Sequence, residues 1–337
     1  MKNVLVTGGT GFIGSHTVVE LIESGYRPIV VDNFSNSEPK VLDRLKDITG
    51  QDVTFYKQDY QDKEKLAEIF KTESIDGVIH FAAYKAVGES VAEPLKYYAN
   101  NVAGLVTLLE VMDEHGIKNL VFSSSCTVYG EPDALPITEN SPIKPAESPY
   151  GETKQMCEII IKGTTAASDD LKSLALRYFN PIGAHPTAKI GELPNGVPSN
   201  LLPLITQTVA GIREKITVYG NDYDTPDGSC IRDYIHVVDL AKAHVKALEH
   251  LDKQSPKYYD TVNIGTGNGN SVLEVINTFE KVTGEKVNYE IGPRRAGDVV
   301  KIYASVDKAK STLGWQAEKT LEEALADAWR WQQTLSS

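Results

Sequence analysis

The chain has 337 residues, 41% of them apolar and 24% charged, which excludes a disordered polypeptide and leaves enough apolar side chain for two lobes around one cleft. Its 34 Lys and Arg stand against 46 Asp and Glu, a formal charge of -12, so nucleic acid and anionic membrane surfaces are excluded as general partners and an anionic ligand must be held by a few placed cations and backbone amides. Cys126, Cys157 and Cys230 are too scattered for a disulfide framework, no His pair has metal-ligand spacing, and no apolar run is long enough to span a bilayer; a soluble, cytoplasmic protein with reduced thiols and no metal is expected.

From the start, short β-rich runs alternate with amphipathic stretches, the pattern of βαβ units in a parallel sheet. Strands are predicted at Asn3 to Thr7, Pro28 to Asp32, Val53 to Gln58, Gly77 to His80, Asn119 to Ser124 and Lys172 to Tyr178. Helices are predicted at Ser15 to Ser24, Lys63 to Lys71, Asn101 to His115 and Ser148 to Thr164; in the third, Leu105, Leu108, Leu109 and Met112 share one face. After about Asn180 the alternation weakens, and Pro181, Pro186, Pro194 and Pro198 with Gly183, Gly191 and Gly196 make an irregular stretch. The expected fold is α/β: a Rossmann-type doubly wound parallel sheet over 1-180, and a smaller mixed α/β C-terminal substrate lobe over 181-337, with segments able to pass between the two. Trp315, Trp329 and Trp331 read as packing for the last helix.

Gly8, Gly11 and Gly14 follow the first strand and open the first helix, with Phe12 and Ile13 between the last two. Glycines so placed serve tight turning, close approach of backbone to a pyrophosphate and packing of helix on strand, and the helix N-terminus adds amides for the phosphates. Asp32 ends the second strand, where a carboxylate can bond the adenosine ribose and repel a 2′-phosphate, so the cofactor is expected to be NAD rather than NADP. A solvated strand-end acid is the other reading of Asp32. Asn33, Asn36 and Ser37 flank it, and Asp59 and Tyr60 close the third strand, Asp59 being able to accept from an adenine amine. Phe81, Ala82 and Ala83 close the fourth with small residues beside the same crevice; tight strand-to-loop packing competes with cofactor contact there.

Tyr150 and Lys154 lie four apart on one face of a helix, and Ser123, Ser124 and Ser125 end the preceding strand. With this set the sequence resembles the short-chain dehydrogenase/reductase family, whose catalytic residues are a strand-end Ser or Thr and a Tyr-x-x-x-Lys. A free phenol titrates near pH 10, and a neighbouring ammonium and a cationic nicotinamide both favour its phenolate. The resemblance implies that Tyr150 moves the proton of a sugar hydroxyl, Lys154 tunes Tyr150 and bonds the nicotinamide ribose, and Ser125 bonds the reacting oxygen. Ser123, Lys85, Asn100 and Phe179 match cofactor-proximal positions of the family.

Within that class the resemblance narrows to the nucleotide-sugar 4-epimerases that interconvert UDP-glucose and UDP-galactose. It is carried by Ser123 to Gly130, Arg177 to His185, Arg232 to Leu240 and Pro293 to Asp298. Related dehydratases place an Asp-Glu pair where this chain has Cys126 and Thr127, so elimination of water lacks its acid and base. The implied nucleotide-sugar contacts are Asn180, Asn200, Leu201, Tyr219, Arg232, Arg295 and Asp298, with Ile302 at a pocket position that a Tyr restricts to glucose and galactose. Arg232 and Arg295 suit a diphosphate, because a planar guanidinium donates two parallel bonds; ion pairing with Asp233 or Asp298 is the alternative. A homodimer through helices of the cofactor lobe is expected by the same resemblance. An epimerase acting on UDP-glucuronate and a non-catalytic NAD-sensing module are the competing functions.

Overall fold

Seven parallel strands carry the cofactor lobe of the computed structural model, which describes residues 1-295 and 298-336. They are β1 (Asn3–Thr7), β2 (Arg27–Asp32), β3 (Thr54–Lys57), β4 (Gly77–His80), β5 (Asn119–Ser125), β6 (Lys172–Tyr178) and a strand at Tyr259–Ile264. From one edge the order is Tyr259–Ile264, β6, β5, β4, β1, β2, β3. The chain thus reverses direction of growth beside β1, and a crevice opens beyond the carboxyl ends of the strands at that point. Because helices cover both faces, the strands are apolar on both: Val4, Leu5 and Val6, then Ile29, Val30 and Val31, then Leu120, Val121 and Phe122 are buried in succession.

The first helix, Phe12–Glu23, and the helix Val237–Asp252 cover one face through Val18, Leu21, Leu240 and Leu248. Helices Lys63–Glu73, Gly104–Glu114 and Pro149–Ala167 cover the other through Leu66, Phe70, Leu108 and Ile161. Residues beyond 180 therefore give the sheet lobe one covering helix and one edge strand. Ile182, Leu202, Ile205, Val218, Tyr234, Phe279 and Leu325 form a second core, whereas Trp315, expected as packing for the last helix, packs with the sheet lobe and donates to the Asp239 carbonyl at 3.1 Å. In the C-terminal lobe Trp329 meets Phe279 edge-on at 6.0 Å, and Trp331 lies so close over Gly191 that a Cβ there would sit 2.4 Å from its ring. Among the described residues no helix is long and apolar enough to cross a membrane.

The helix expected from Asn101 begins differently. A wide π turn, Tyr98–Ala103, precedes Gly104–Glu114, and the Gly104 amide donates to the Ala99 carbonyl. That shift frees the Asn100 carbonyl, which accepts the Tyr60 hydroxyl instead. Gly104 is required at this contact, since a Cβ would lie 2.5 Å from the Tyr60 oxygen.

Candidate functional site

A cleft of about 310 Å³ opens at the reversal point, and the glycine loop forms its floor. Gly8 sits at a φ of +69°, and a Cβ on it would lie 2.8 Å from the Ala82 amide. Gly14 is tighter still: its Cβ would come within 2.2 Å of the Gly8 carbonyl. The loop and the start of the first helix are thereby pressed together, and amides rather than side chains face the space where a pyrophosphate fits. Gly11, Phe12, Ile13, Phe81, Ala82 and Ala83 line the same cleft.

Asp32 is half-buried rather than solvated. Its Oδ2 accepts from the Thr10 amide at 3.2 Å, and its Oδ1 accepts from the Phe34 amide at 2.9 Å and the Ser37 hydroxyl at 3.2 Å. Asn33, Asn36, Ser37 and Tyr60 join it in the cleft wall. Asp59 stands outside that wall, accepting from Asn33 at 3.3 Å and from the Gln61 amide at 2.9 Å. The glycine cradle and the ribose-end carboxylate fit NAD.

At the other end of the cleft, Ser148 caps the helix Pro149–Ala167 by accepting from the Gly151 amide at 3.3 Å, and Pro149 occupies its first turn. Tyr150 and Lys154 project from that helix over the end of β5. The Lys154 ammonium donates to the Ser123 carbonyl at 2.5 Å and lies 4.8 Å from the Phe122 ring and 5.9 Å from the Tyr150 ring. Lys154 is 3% exposed, and this burial takes its ammonium down to about 8. Ser125 accepts from the Thr127 amide at 3.2 Å and the Thr127 hydroxyl at 3.0 Å, which leaves its own proton for a group in the cleft.

The acidity of Tyr150 is set by burial as well as by its neighbours. Burial pushes its phenol up to about 12, and the Ser125 hydrogen bond draws it back only in part. Burial therefore opposes the phenolate that a neighbouring ammonium favours.

Ser123, Lys85, Asn100, Phe179, Asn180 and Asn200 reach the same cleft. Asn101, expected only as the start of a helix, adjoins the expected contact Asn100. It is buried, exchanges hydrogen bonds with the Tyr84 backbone at 2.9 and 3.0 Å, and donates to Thr153 at 3.2 Å, so it clamps the loop after β4 to the helix that carries Tyr150 and Lys154. A buried polar residue inside an otherwise apolar helix pattern was its only signal. Glu192 was also missed; its carboxylate accepts from Asn200 at 2.6 Å and from Lys85 at 3.2 Å.

Leu201, Tyr219, Arg232, Arg295, Asp298 and Ile302 do not line the cleft wall. Asp298 pairs with Arg295 through bonds of 3.1 and 2.6 Å and with Arg232 at 3.6 Å, while Arg295 lies 5.4 Å over the Tyr219 ring. Of the two alternative acids, Asp298 takes both arginines; Asp233 is buried and accepts from the Thr266, Gly267 and Ala304 amides. Leu201 opens the helix Leu201–Val209 and packs on the lobe core. Ile302 is opposite Arg232 in a short parallel pairing and packs with Cys126 and Phe179, both of which do line the cleft. Ala296 and Gly297, within the expected Pro293 to Asp298 stretch, lie outside the described residues.

The model of the NAD dependent epimerase/dehydratase family matches residues 4–265. The chain belongs to that family. Within it, the chain is 53% identical to a UDP-glucose 4-epimerase of Bacillus subtilis over 98% of its own length and 96% of the relative's. A UDP-glucose-4-epimerase of Stenotrophomonas maltophila, crystallised with NAD and formylated UDP-arabinopyranose, superposes with a TM-score of 0.97 at 46% identity, covering 100% of this chain and 99% of that one. The Bifidobacterium longum UDP-glucose 4-epimerase, solved with NAD+ and UDP, gives 0.95 at 47% identity, covering 99% and 98%.

Proposed function

We infer that this chain is an NAD-dependent UDP-glucose 4-epimerase, interconverting UDP-galactose and UDP-glucose through a 4-keto sugar in galactose metabolism. The observation that carries the reading is the convergence of Ser125, Tyr150 and Lys154 on one end of a cleft whose other end holds the glycine cradle and Asp32. NAD held by the glycine loop and Asp32 would supply a reversible hydride acceptor for C4. Tyr150 accepts the proton of the 4-hydroxyl and gives it back, Ser125 donates to the same oxygen, and Lys154 fixes the charge beside them. Burial pushes the Tyr150 phenol up to about 12, and cations beside it, the Lys154 ammonium among them, favour the phenolate against that burial.

Elimination of water has no support here. Burial pushes the Cys126 thiol up to about 12, and the Thr127 hydroxyl is engaged with Ser125. Arg232 and Arg295 take the diphosphate by exchanging their bonds to Asp298, with Asn180, Asn200, Leu201 and Tyr219 completing the nucleotide-sugar side. The enzyme works in the cytoplasm as a homodimer. Supporting the dimer, Val91 at 63%, Leu95 at 80% and Ile159 at 70% are exposed on cofactor-lobe helices that pack together.

The test is incubation of the purified protein with UDP-galactose and no added NAD. UDP-glucose should form; an inert substrate would sink the reading. Light scattering at micromolar concentration checks the dimer, and a monomer there would refute it.

A further inference from the structure

Behind the catalytic strand lies a buried ion pair that the reaction itself does not touch. Glu158 follows Lys154 by one turn on the helix Pro149–Ala167. Its Oε1 accepts from the Ser124 hydroxyl at 2.5 Å and from Arg177 Nε at 2.9 Å, and its Oε2 accepts from Arg177 Nη2 at 2.6 Å. Ser124 and Arg177 are opposite one another in the pairing of β5 with β6, so a single carboxylate ties both strands to the helix. Arg177 Nη1 also donates to the Tyr129 hydroxyl at 2.9 Å, which in turn donates to Asn263 Oδ1 at 2.7 Å. Burying two charges offsets their attraction, so such a pair adds little net stability, and its value lies in specifying one arrangement. Here three successive residues of β5 divide the work: the Ser123 carbonyl holds Lys154, Ser124 holds Glu158, and Ser125 faces the cleft.

Resting on the epimerase reading of this cleft, we propose that Glu158 and Arg177 are positioning residues for Lys154, locking the helix register that brings its ammonium to Ser123 and keeping it cationic. The other groups around Lys154 are uncharged at neutral pH. Burial holds the Tyr150 phenol and the Cys157 thiol up at about 12, raises the Tyr178 phenol on β6, and takes His80 on β4 down to about 3. Glu158 is the carboxylate that counters the burial of Lys154. Its removal also leaves Arg177 an uncompensated cation behind the site.

Glu158→Gln tests this by two readouts. One is the pH dependence of Lys154 acylation in the NAD-free protein, located by peptide mass; the other is the alkaline limb of kcat/KM for UDP-galactose. Both should move to lower pH by at least about half a unit, as expected for loss of a nearby opposite charge, with kcat reduced about tenfold or more at little change in KM. Glu158→Asp, which keeps the charge, should leave the limb near its wild-type position. If Glu158→Gln does not fold, the double variant Glu158→Gln, Arg177→Met leaves no unpaired buried charge; it should still lower kcat about tenfold through the lost tie between helix and strands, with a smaller move of the limb in the same direction, and a wild-type kcat in it overturns the positioning role. An unmoved limb and unmoved acylation profile in a folded variant overturn the proposal. A wild type inert towards UDP-galactose would sink the epimerase reading instead, and the acylation profile would still decide the role of Glu158.

Discussion

The two halves of the site are built by opposite strategies. On the cofactor side the backbone is already arranged around the space it is to hold: Gly14 has no room for a Cβ, and Asp32 is braced by Thr10, Phe34 and Ser37. On the nucleotide-sugar side, the cations that suit a diphosphate are spent on Asp298. A preformed cradle costs little to fill, which suits a cofactor that stays bound. A self-paired cluster must trade one anion for another, which suits a ligand that has to leave. The contrast predicts that damage to the first half destroys the enzyme, whereas damage to the second half grades its affinity and selectivity.

Tyr150 stands where the halves meet, and its loss should have the largest effect. Tyr150→Phe is expected to lower kcat at least about a hundredfold, the scale for a positioned acid/base, while bound NAD and UDP affinity persist. Turnover close to wild type would overturn its assignment. Next comes the cradle. Gly14→Ala places a methyl 2.2 Å from the Gly8 carbonyl, so backbone has to shift. The purified variant should retain less than about a tenth of the NAD carried by wild type, judged by absorbance after denaturation, because a displacement of one atom's width at a phosphate cradle forfeits several hydrogen bonds. Full NAD content would show that the loop is more yielding than its packing implies. In the other half, Arg295→Ala should raise KM for UDP-galactose about tenfold with kcat little changed, since a half-exposed guanidinium binds ground and transition states alike. A matching fall in kcat would mean that Arg295 acts on the reacting sugar.

The same division governs what could be read in the sequence. The cofactor half is written locally: a strand, three glycines and a helix start within Asn3 to Gly14, and the acid ends the next strand, so spacing alone carries the argument. The nucleotide-sugar half is assembled from fragments. Arg232 and Ile302 meet on strands only two residues long that lie far apart in the chain, and no period in the sequence announces such a pairing. The π turn at Tyr98–Ala103 was illegible for another reason: it answers to Tyr60, which lies some forty residues earlier in the chain. The acidity of Tyr150 likewise depends on burial, which residue spacing does not report.

The smallest effect, and the sharpest test of the comparison, concerns Ile302. It is 5% exposed and packs behind Cys126 and Phe179, so it shapes the sugar end of the cleft through those two side chains rather than by bare contact. A Tyr in its place has a ring to accommodate, and the neighbours able to yield are those that face the cleft. Ile302→Tyr should therefore narrow the space beside C2 of the sugar, removing activity on UDP-N-acetylglucosamine, which the wild type is expected to have as a secondary activity, and sparing that on UDP-galactose. Packing changes of this size alter selectivity by about 1 to 3 kcal/mol, and the indirect placement puts the effect at the lower end, near tenfold. Specificity constants for both sugars in both proteins decide it. An unchanged ratio removes Ile302 from control of the pocket. An equal loss on both sugars would mean that the ring displaces Arg232 across the strand pairing, and the change would then belong to phosphate binding rather than to sugar choice.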